Sequence, residues 1–303
     1  MHNPHHPHAP PVRNGVGPSC VALPHHGCGT MLEFLVQRLP AVGIDVWRQR
    51  MADGDVVDER GVVLTPERRF EPGLRLYYYR ALPQEPEPPL SEQVIYLDEH
   101  LLVADKPHFM PVTPSGPYLQ STLLVRLRRR LNLPHLAPLH RIDRDTAGLV
   151  MFSVQPATRG AYHALFRDRC IAKTYAAVAP WRSDLKFPMA RHTRLEEGSP
   201  FFRMQEVPGL PNSLTHLDVE EVQGNWARYR LTPVTGKRHQ LRVHMAALGL
   251  PLRHDCFYPE LSEGRAGEPA PPLQLIARHL HFSDPLTGRE HSFDSTRQLL
   301  ALA

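Results

Sequence analysis

Asp143 is the residue most obviously placed for chemistry. It sits in His140-Arg141-Ile142-Asp143-Arg144-Asp145-Thr146, and an apolar run from Gly148 to Val154 follows at once. The run reads as a buried strand, so the charged stretch before it is a short loop held on a rigid scaffold, where proteins commonly display reactive groups. A carboxylate in such a loop can serve as a base or a nucleophile, provided a guanidinium nearby favours its ionised form. A turn or cap role for Asp143 explains the same residue equally well when it is read alone. A protein-kinase catalytic loop does not fit, because it needs Asp directly after His-Arg and an Asn further on. Here Ile142 intervenes and no Gly-rich phosphate loop is present.

A second stretch, Thr235-Gly236-Lys237-Arg238-His239-Gln240-Leu241-Arg242-Val243-His244-Met245, brings further cations. Thr235 and Gly236 mark the start of a helix. Leu241, Met245 and Leu248 form its apolar face, and Gly249 ends it. On such a helix Arg238 and Arg242, four apart, share an edge.

The elements that must hold these groups can be read in chain order. Residues 1–27 contain many Pro and His and no carboxylate, and read as a disordered tail. Cys20, His25, His26 and Cys28 lack the paired spacing of a zinc knuckle, so no metal site is expected. Residues 28–85 read as a small domain: helices over 31–39 and 46–51, a hairpin over 54–63, a turn at Glu71-Pro72-Gly73 and a strand over 74–79. Residues 86–91 form a Pro-rich linker, and residues 92–303 form the larger domain. That domain opens with a hairpin, Val94–Leu97 and Leu101–Ala104, ending in Lys106-Pro107. Ser121–Leu133 follows as an amphipathic helix whose Arg126, Arg128, Arg129 and Arg130 are candidates for guiding a polyanion. Pro156 starts another helix, and Lys173–Val178 is a strand. Residues 182–213 read as irregular, 215–222 and 226–231 as paired strands, and 275–285 as the strand that closes the sheet.

Composition narrows the classes of function. The net charge of +4 permits a polyanionic partner without demanding one. No apolar run approaches the ~18 residues of a membrane span, and no secretory signal opens the chain. Four scattered cysteines point to reduced thiols and a cytoplasmic setting. The 19 histidines form no compact ligand cluster, which argues against a metal-dependent hydrolase.

The string from His140 to Leu149 resembles the catalytic motif of the RluA-type RNA pseudouridine synthases, His-Arg-Leu-Asp-x-x-Thr-Ser-Gly-Leu, with Ile142 for Leu and Ala147 for Ser. Lys106-Pro107 resembles the family's first motif, Lys173-Thr174-Tyr175-Ala176-Ala177 its Lys-x-Tyr-x-Ala motif, and Thr235–His244 its Thr-Gly-Arg-x-His-Gln-Ile-Arg-x-His motif, with Lys237 in place of the first Arg. Pro251–Tyr258 and Leu275–Pro285 resemble later family segments, with His254 and Ile276 departing from the pattern. The resemblance implies an α+β pseudouridine synthase fold, with a mixed, largely antiparallel central sheet flanked by helices. Residues 28–85 resemble the small RNA-binding domain shared with a small-subunit ribosomal protein and many RNA-modifying enzymes. They carry eight arginines against nine carboxylates, a weak charge for gripping RNA.

The implied activity is isomerisation of uridine to pseudouridine in structured ribosomal or transfer RNA. The bond from uracil N1 to ribose breaks, the base turns, and it rejoins through C5. No redox change occurs, so no cofactor is expected. By the same resemblance Asp143 is the catalytic carboxylate, Arg242 its ion-pair partner, and Tyr175 packs against the base. Arg141 and Arg144 would hold the extruded nucleotide, while Lys106, Lys237 and Arg238 would meet phosphates. Extrusion costs a few kcal/mol, least where the helix is already disrupted. A monomer is expected. The competing expectation is an RNA-binding protein that keeps the fold without turnover.

Overall fold

The computed structural model describes residues 10–27, 29–80, 84–262 and 270–302. The first nine residues of the Pro/His-rich start, and Cys28 of the considered zinc set, lie outside them.

The expectation of a disordered tail over 1–27 fails in its second half. Ser19–Ala22 forms β1, and Leu23 just after it is buried in a core. The run Ser-Cys-Val-Ala is too short to show a period, but antiparallel pairing to a neighbouring strand supplies its hydrogen bonds. Helices α1 (Met31–Arg38) and α2 (Ile44–Ala52) follow, then β2 (Val56–Asp58) and β3 (Arg75–Tyr78). The three strands make one antiparallel sheet in the order β1-β3-β2, over a core built on Met31, Leu35, Trp47 and Leu76. Thr30 and Glu33 close a reciprocal cap at the start of α1, satisfying two backbone amides that the helix leaves open.

The larger sheet begins with β4 (Gln93–Leu97) and β5 (Leu101–Lys106), and α3 (Leu123–Leu131) follows. Next come β6 (Ala137–Pro138), β7 (Ala147–Ser153), α4 (Arg159–Arg167) and β8 (Ala172–Pro180). The chain continues through β9 (Met189–Glu197), β10 (Met204–Val207), β11 (Ser213–Gln223) and β12 (Trp226–Pro233). Last are α5 (Gln240–Ala247), β13 (Leu275–Ser283) and β14 (Glu290–Asp294). The strand order is β10-β9-β11-β12-β8-β13-β7-β5-β4, with β14 beside β13 and β6 beside β7. Every pairing is antiparallel except β13 with β7.

β5 and β7 are buried on both faces, which explains their nearly unbroken apolar runs. Their alternation still sorts the side chains. Leu101, Val103, Leu149 and Met151 face a core covered by Tyr162 and Leu165 of α4. Leu102, Ala104, Val150 and Phe152 face Leu123, Leu124 and Leu127 of α3. Helix α5 lays Leu241 and Met245 on a third core made with β8, β11 and β12.

Three further expectations change. The stretch 182–213 is not irregular: β9 and β10 pair there, with Arg191 and Glu206 forming an ion pair across them. β9 carries charged residues on both faces and β10 is only four residues long, so no apolar period betrays them. β13 does not close an edge but lies between β8 and β7, joining the two halves of the sheet. The basic face of α3 is largely engaged within the protein. Arg126 and Arg130 pair with the buried Glu92, and Arg128 donates to the carbonyls of Leu136 and Gly15. Burial pushes the Arg128 guanidinium down to about 10.

Candidate active site

The loop ahead of β7 is fixed from several sides. His140 accepts the Met151 amide hydrogen at Nε2 (3.0 Å) and stacks on Phe166, and burial pushes its pKa down to about 3, so its ring is neutral. Thr146 donates its amide to the Asp143 carbonyl (3.2 Å), closing a turn around the carboxylate. Beneath the loop, Lys106 donates to the carbonyls of Pro107 (2.9 Å) and Arg144 (3.0 Å), and His108 Nδ1 lies 2.6 Å from the Asp145 carbonyl. Gly148 brings β7 tightly against β13. Its φ is +109°, and a Cβ there would stand 2.2 Å from the Ala277 carbonyl oxygen, so no side chain fits.

The second wall is α5 and the loop before it. Gln240 accepts from the Thr235 hydroxyl and the Lys237 amide and donates to Leu214 and Thr215 of β11. The buried His244 meets the hydroxyls of Thr215, Ser213 and Thr193. These polar anchors orient the helix, which begins at Gln240 rather than Thr235 because His239 adopts a left-handed conformation (φ 53°). Arg238 is therefore not on the same helical edge as Arg242. Its guanidinium donates to the carbonyls of Phe201 and Arg203 and lies 3.5 Å from Glu197.

Arg242 points inward, its side chain only 2% exposed. It makes a fork to Asp255 (2.8 and 2.6 Å), and Nη1 lies 3.6 Å from Asp143 Oδ2. Asp255 is itself held by the amides of Phe257 and Tyr258. Burial opposes the charge on Arg242, but Asp255 first and then Asp143 outweigh it and raise its pKa, so it stays a cation. On the other carboxylate oxygen of Asp143, His239 Nε2 lies 3.9 Å away. His239 Nδ1 is 2.9 Å from the Tyr258 hydroxyl, which accepts the Met204 amide hydrogen at 2.7 Å. Burial, chiefly, lowers the His239 pKa and keeps the ring neutral. Tyr175 lies on β8 opposite Leu231 and Ala277, packed against the third core, and burial followed by the charge of Asp143 raises its pKa, keeping its hydroxyl protonated.

These groups line a cleft of about 1020 Å³. Among its described lining residues Asp143 is the sole carboxylate, whereas Arg141, Arg144, Arg167, Arg169, Lys173, Lys237, Arg238 and Arg242 supply cations. Such a surface attracts a polyanion and leaves one basic oxygen pair at its centre.

The structure thus brings together Asp143, Tyr175 and Arg242, with Arg141, Arg144, Lys237 and Arg238 around them. Arg144 is tied to Asp145 and to the Tyr118 hydroxyl. Lys106 is a correction: it is fully enclosed and braces the loop through carbonyls, so it does not meet phosphate. A following proline gave no sign of this; the six-residue burial of β5 did. His239, Asp255 and Tyr258 were in recognised stretches but had no assigned contact. The unpaired demand of a buried guanidinium, which needs more than one partly exposed carboxylate, was the available signal for Asp255.

Known proteins resemble this chain in sequence and in fold. Residues 100–247 match the RNA pseudouridylate synthase family. The dual-specificity RNA pseudouridine synthase RluA of Haemophilus influenzae is 32% identical over 221 residues, covering 70% of this chain and 96% of that protein. An RNA pseudouridine synthase of Synechocystis is 29% identical over 234 residues, covering 75% of this chain and 79% of its own. Among solved structures, human RNA pseudouridylate synthase domain containing 1 superposes with a TM-score of 0.57 at 26% identity, covering 71% of this chain and 86% of that one. The fold is that of enzymes that isomerise uridine within RNA. The chain belongs to the RluA-type RNA pseudouridine synthase family.

Proposed function

We propose that Asp143 is the catalytic carboxylate of a cofactor-independent isomerisation acting on uridines in structured ribosomal or transfer RNA. The observation that carries this reading is Asp143 standing as the lone carboxylate of a cationic cleft, 3.6 Å from a guanidinium that burial and Asp255 hold in place. The reaction breaks N1–C1′ and makes C5–C1′; the C5 proton leaves and N1 gains one. Atoms and electrons balance without an outside reagent. Tyr175, protonated and beside Asp143, packs against the base. Arg141 and Arg144 hold the extruded nucleotide, and Lys237 with Arg238 lies along the phosphates. The protein works as a cytoplasmic monomer, and residues 28–85 contribute little to RNA affinity because their charges nearly cancel.

The direct test is to incubate the purified protein with cellular RNA from a strain lacking it and to map pseudouridine by carbodiimide-dependent reverse-transcription stops. New stops at discrete uridines are expected. None would overturn the enzyme reading and favour an RNA-binding protein without turnover.

His239 acts through Asp143 as a positioning residue. A Tyr258 hydroxyl that accepts from Met204 and donates to His239 Nδ1 leaves the imidazole N–H on Nε2, toward Asp143. Gln at 239 can present a donor near the Nε2 position, whereas Asn reaches only to the Nδ1 position. The left-handed backbone at 239 favours Asn over Gln. The expected result, His239→Gln retaining roughly tenfold more kcat than His239→Asn, therefore runs against the backbone preference. Equal activity, or Asn ahead of Gln, would remove His239 from this role.

A further inference from the structure

Most arginines near the cleft already have partners, and the exceptions cluster. Arg126 and Arg130 on α3 are neutralised by Glu92, Arg144 by Asp145, and Arg167 by Asp168. By contrast, among the described residues the side chains of Arg141, Arg169, Lys173 and Lys237 have no carboxylate or hydrogen-bond partner, and all four line the cleft around Asp143. Arg169 stands in the turn after α4, and Lys173 at the start of β8. Lys237 stands in the loop between β12 and α5, and Arg141 beside Asp143 itself.

The α4–β8 pair is the least comfortable. Arg169 is exposed and held in a left-handed conformation (φ 59°), so its backbone turns sharply at that point. Lys173, half-buried, has lost part of its hydration without gaining a partner, and Arg169 is the charge that acts on it. Two like charges, one partly desolvated, repel in the free protein. An anion between them would relieve both costs.

We propose that Arg169 and Lys173 form a binding site for a phosphodiester of the RNA on the α4–β8 rim of the cleft. The strand then crosses Asp143 toward Lys237, without help from α3 or the small sheet. This rests on the reading of RNA as substrate, and it names which rim carries the backbone. A protein that instead docked RNA through its small domain would leave Arg169 and Lys173 unused.

Phosphate neutralisation releases counterions, so the slope of log K against log salt measures the number of contacts, at about 0.7–0.9 per phosphate. Binding of bulk cellular RNA to the full chain, titrated at several salt concentrations, should show this slope reduced by about 0.7–0.9 in Arg169→Gln/Lys173→Gln. Arg38→Gln/Arg60→Gln removes the same charge from exposed positions outside the cleft and should leave the slope unchanged. Arg169→Gln/Lys173→Arg, which keeps one charge beside that phosphate, should lose less of the slope than Arg169→Gln/Lys173→Gln. Equal slopes for the two double variants, or a larger loss from the Arg38/Arg60 pair, would overturn the proposal. The carbodiimide stops separate it from the enzyme reading. Stops from the wild type with an unchanged rim slope defeat this inference alone. A rim-dependent slope with no stops defeats the catalytic reading and leaves the rim standing.

Discussion

Asp143→Asn is expected to lower the rate of pseudouridine formation about a thousandfold or more, with carbodiimide stops vanishing while the protein stays folded. The magnitude is that of removing a group that moves or shares a proton or bond in the transition state. Folding should be little changed for two reasons. The side chain is 26% exposed, and its two polar neighbours, the Arg242 guanidinium and the neutral His239 ring, stand beyond hydrogen-bond distance, at 3.6 and 3.9 Å. Contacts of that kind contribute less than about 1 kcal/mol. Asn has the shape of Asp and can still sit in the turn that Thr146 closes. RNA binding should survive and even strengthen, since the one carboxylate in a cationic cleft is gone. Unaltered stops would exclude Asp143 as the reacting group. Loss of stops together with a large fall in melting temperature would assign it to architecture instead.

Arg242 is expected to behave in the opposite way. Arg242→Gln should cost both turnover and stability, the latter by about 3–5 kcal/mol, because it strands a fully buried carboxylate. Asp255 would keep only the two amides of Phe257 and Tyr258. Arg242→Lys keeps a charge but cannot make the fork to Asp255 and still lie toward Asp143. It should recover part of the stability and little of the rate. Thermal melts and initial rates on the same preparations separate the two effects. A soluble, wild-type-stable Arg242→Gln would show that Asp255 does not depend on it. Full activity in that variant would end its role as the ion-pair partner of Asp143.

These expectations also show what the sequence made legible. Strands β5 and β7 announced themselves because burial on both faces demands unbroken apolar runs. Asp143 was conspicuous as a charge in the short loop just ahead of such a run. The approach of Asp143 to Arg242, nearly a hundred positions apart in the chain, came from the family resemblance and not from any local pattern. Where reading failed, the cause was local chemistry hidden by tertiary context. β9 is charged on both faces, β10 is a four-residue strand, and the two are tied by pairs such as Arg191 with Glu206, so they looked like loop. Lys106 looked like a surface ammonium because nothing adjacent reveals that the carbonyl of Arg144, 38 residues on, closes over it. The start of α5 was misplaced by five residues because a non-glycine left-handed residue, His239, is rare enough to escape any propensity argument. That same conformation puts the imidazole against Asp143 and turns Arg238 away.

The place of β13 has a consequence for how the enzyme comes into being. Asp143 belongs to the half of the sheet that emerges first from the ribosome, while Tyr175 and Arg242 belong to the half that follows. The seam between them is filled by Leu275–Ser283, synthesised after all three. Until those residues are out of the exit tunnel, β7 and β8 have no strand to bridge them, so a nascent chain can carry Asp143, Tyr175 and Arg242 and still lack the sheet that brings them together. The cleft around Asp143 therefore takes its shape only once the last strands of the sheet are in place.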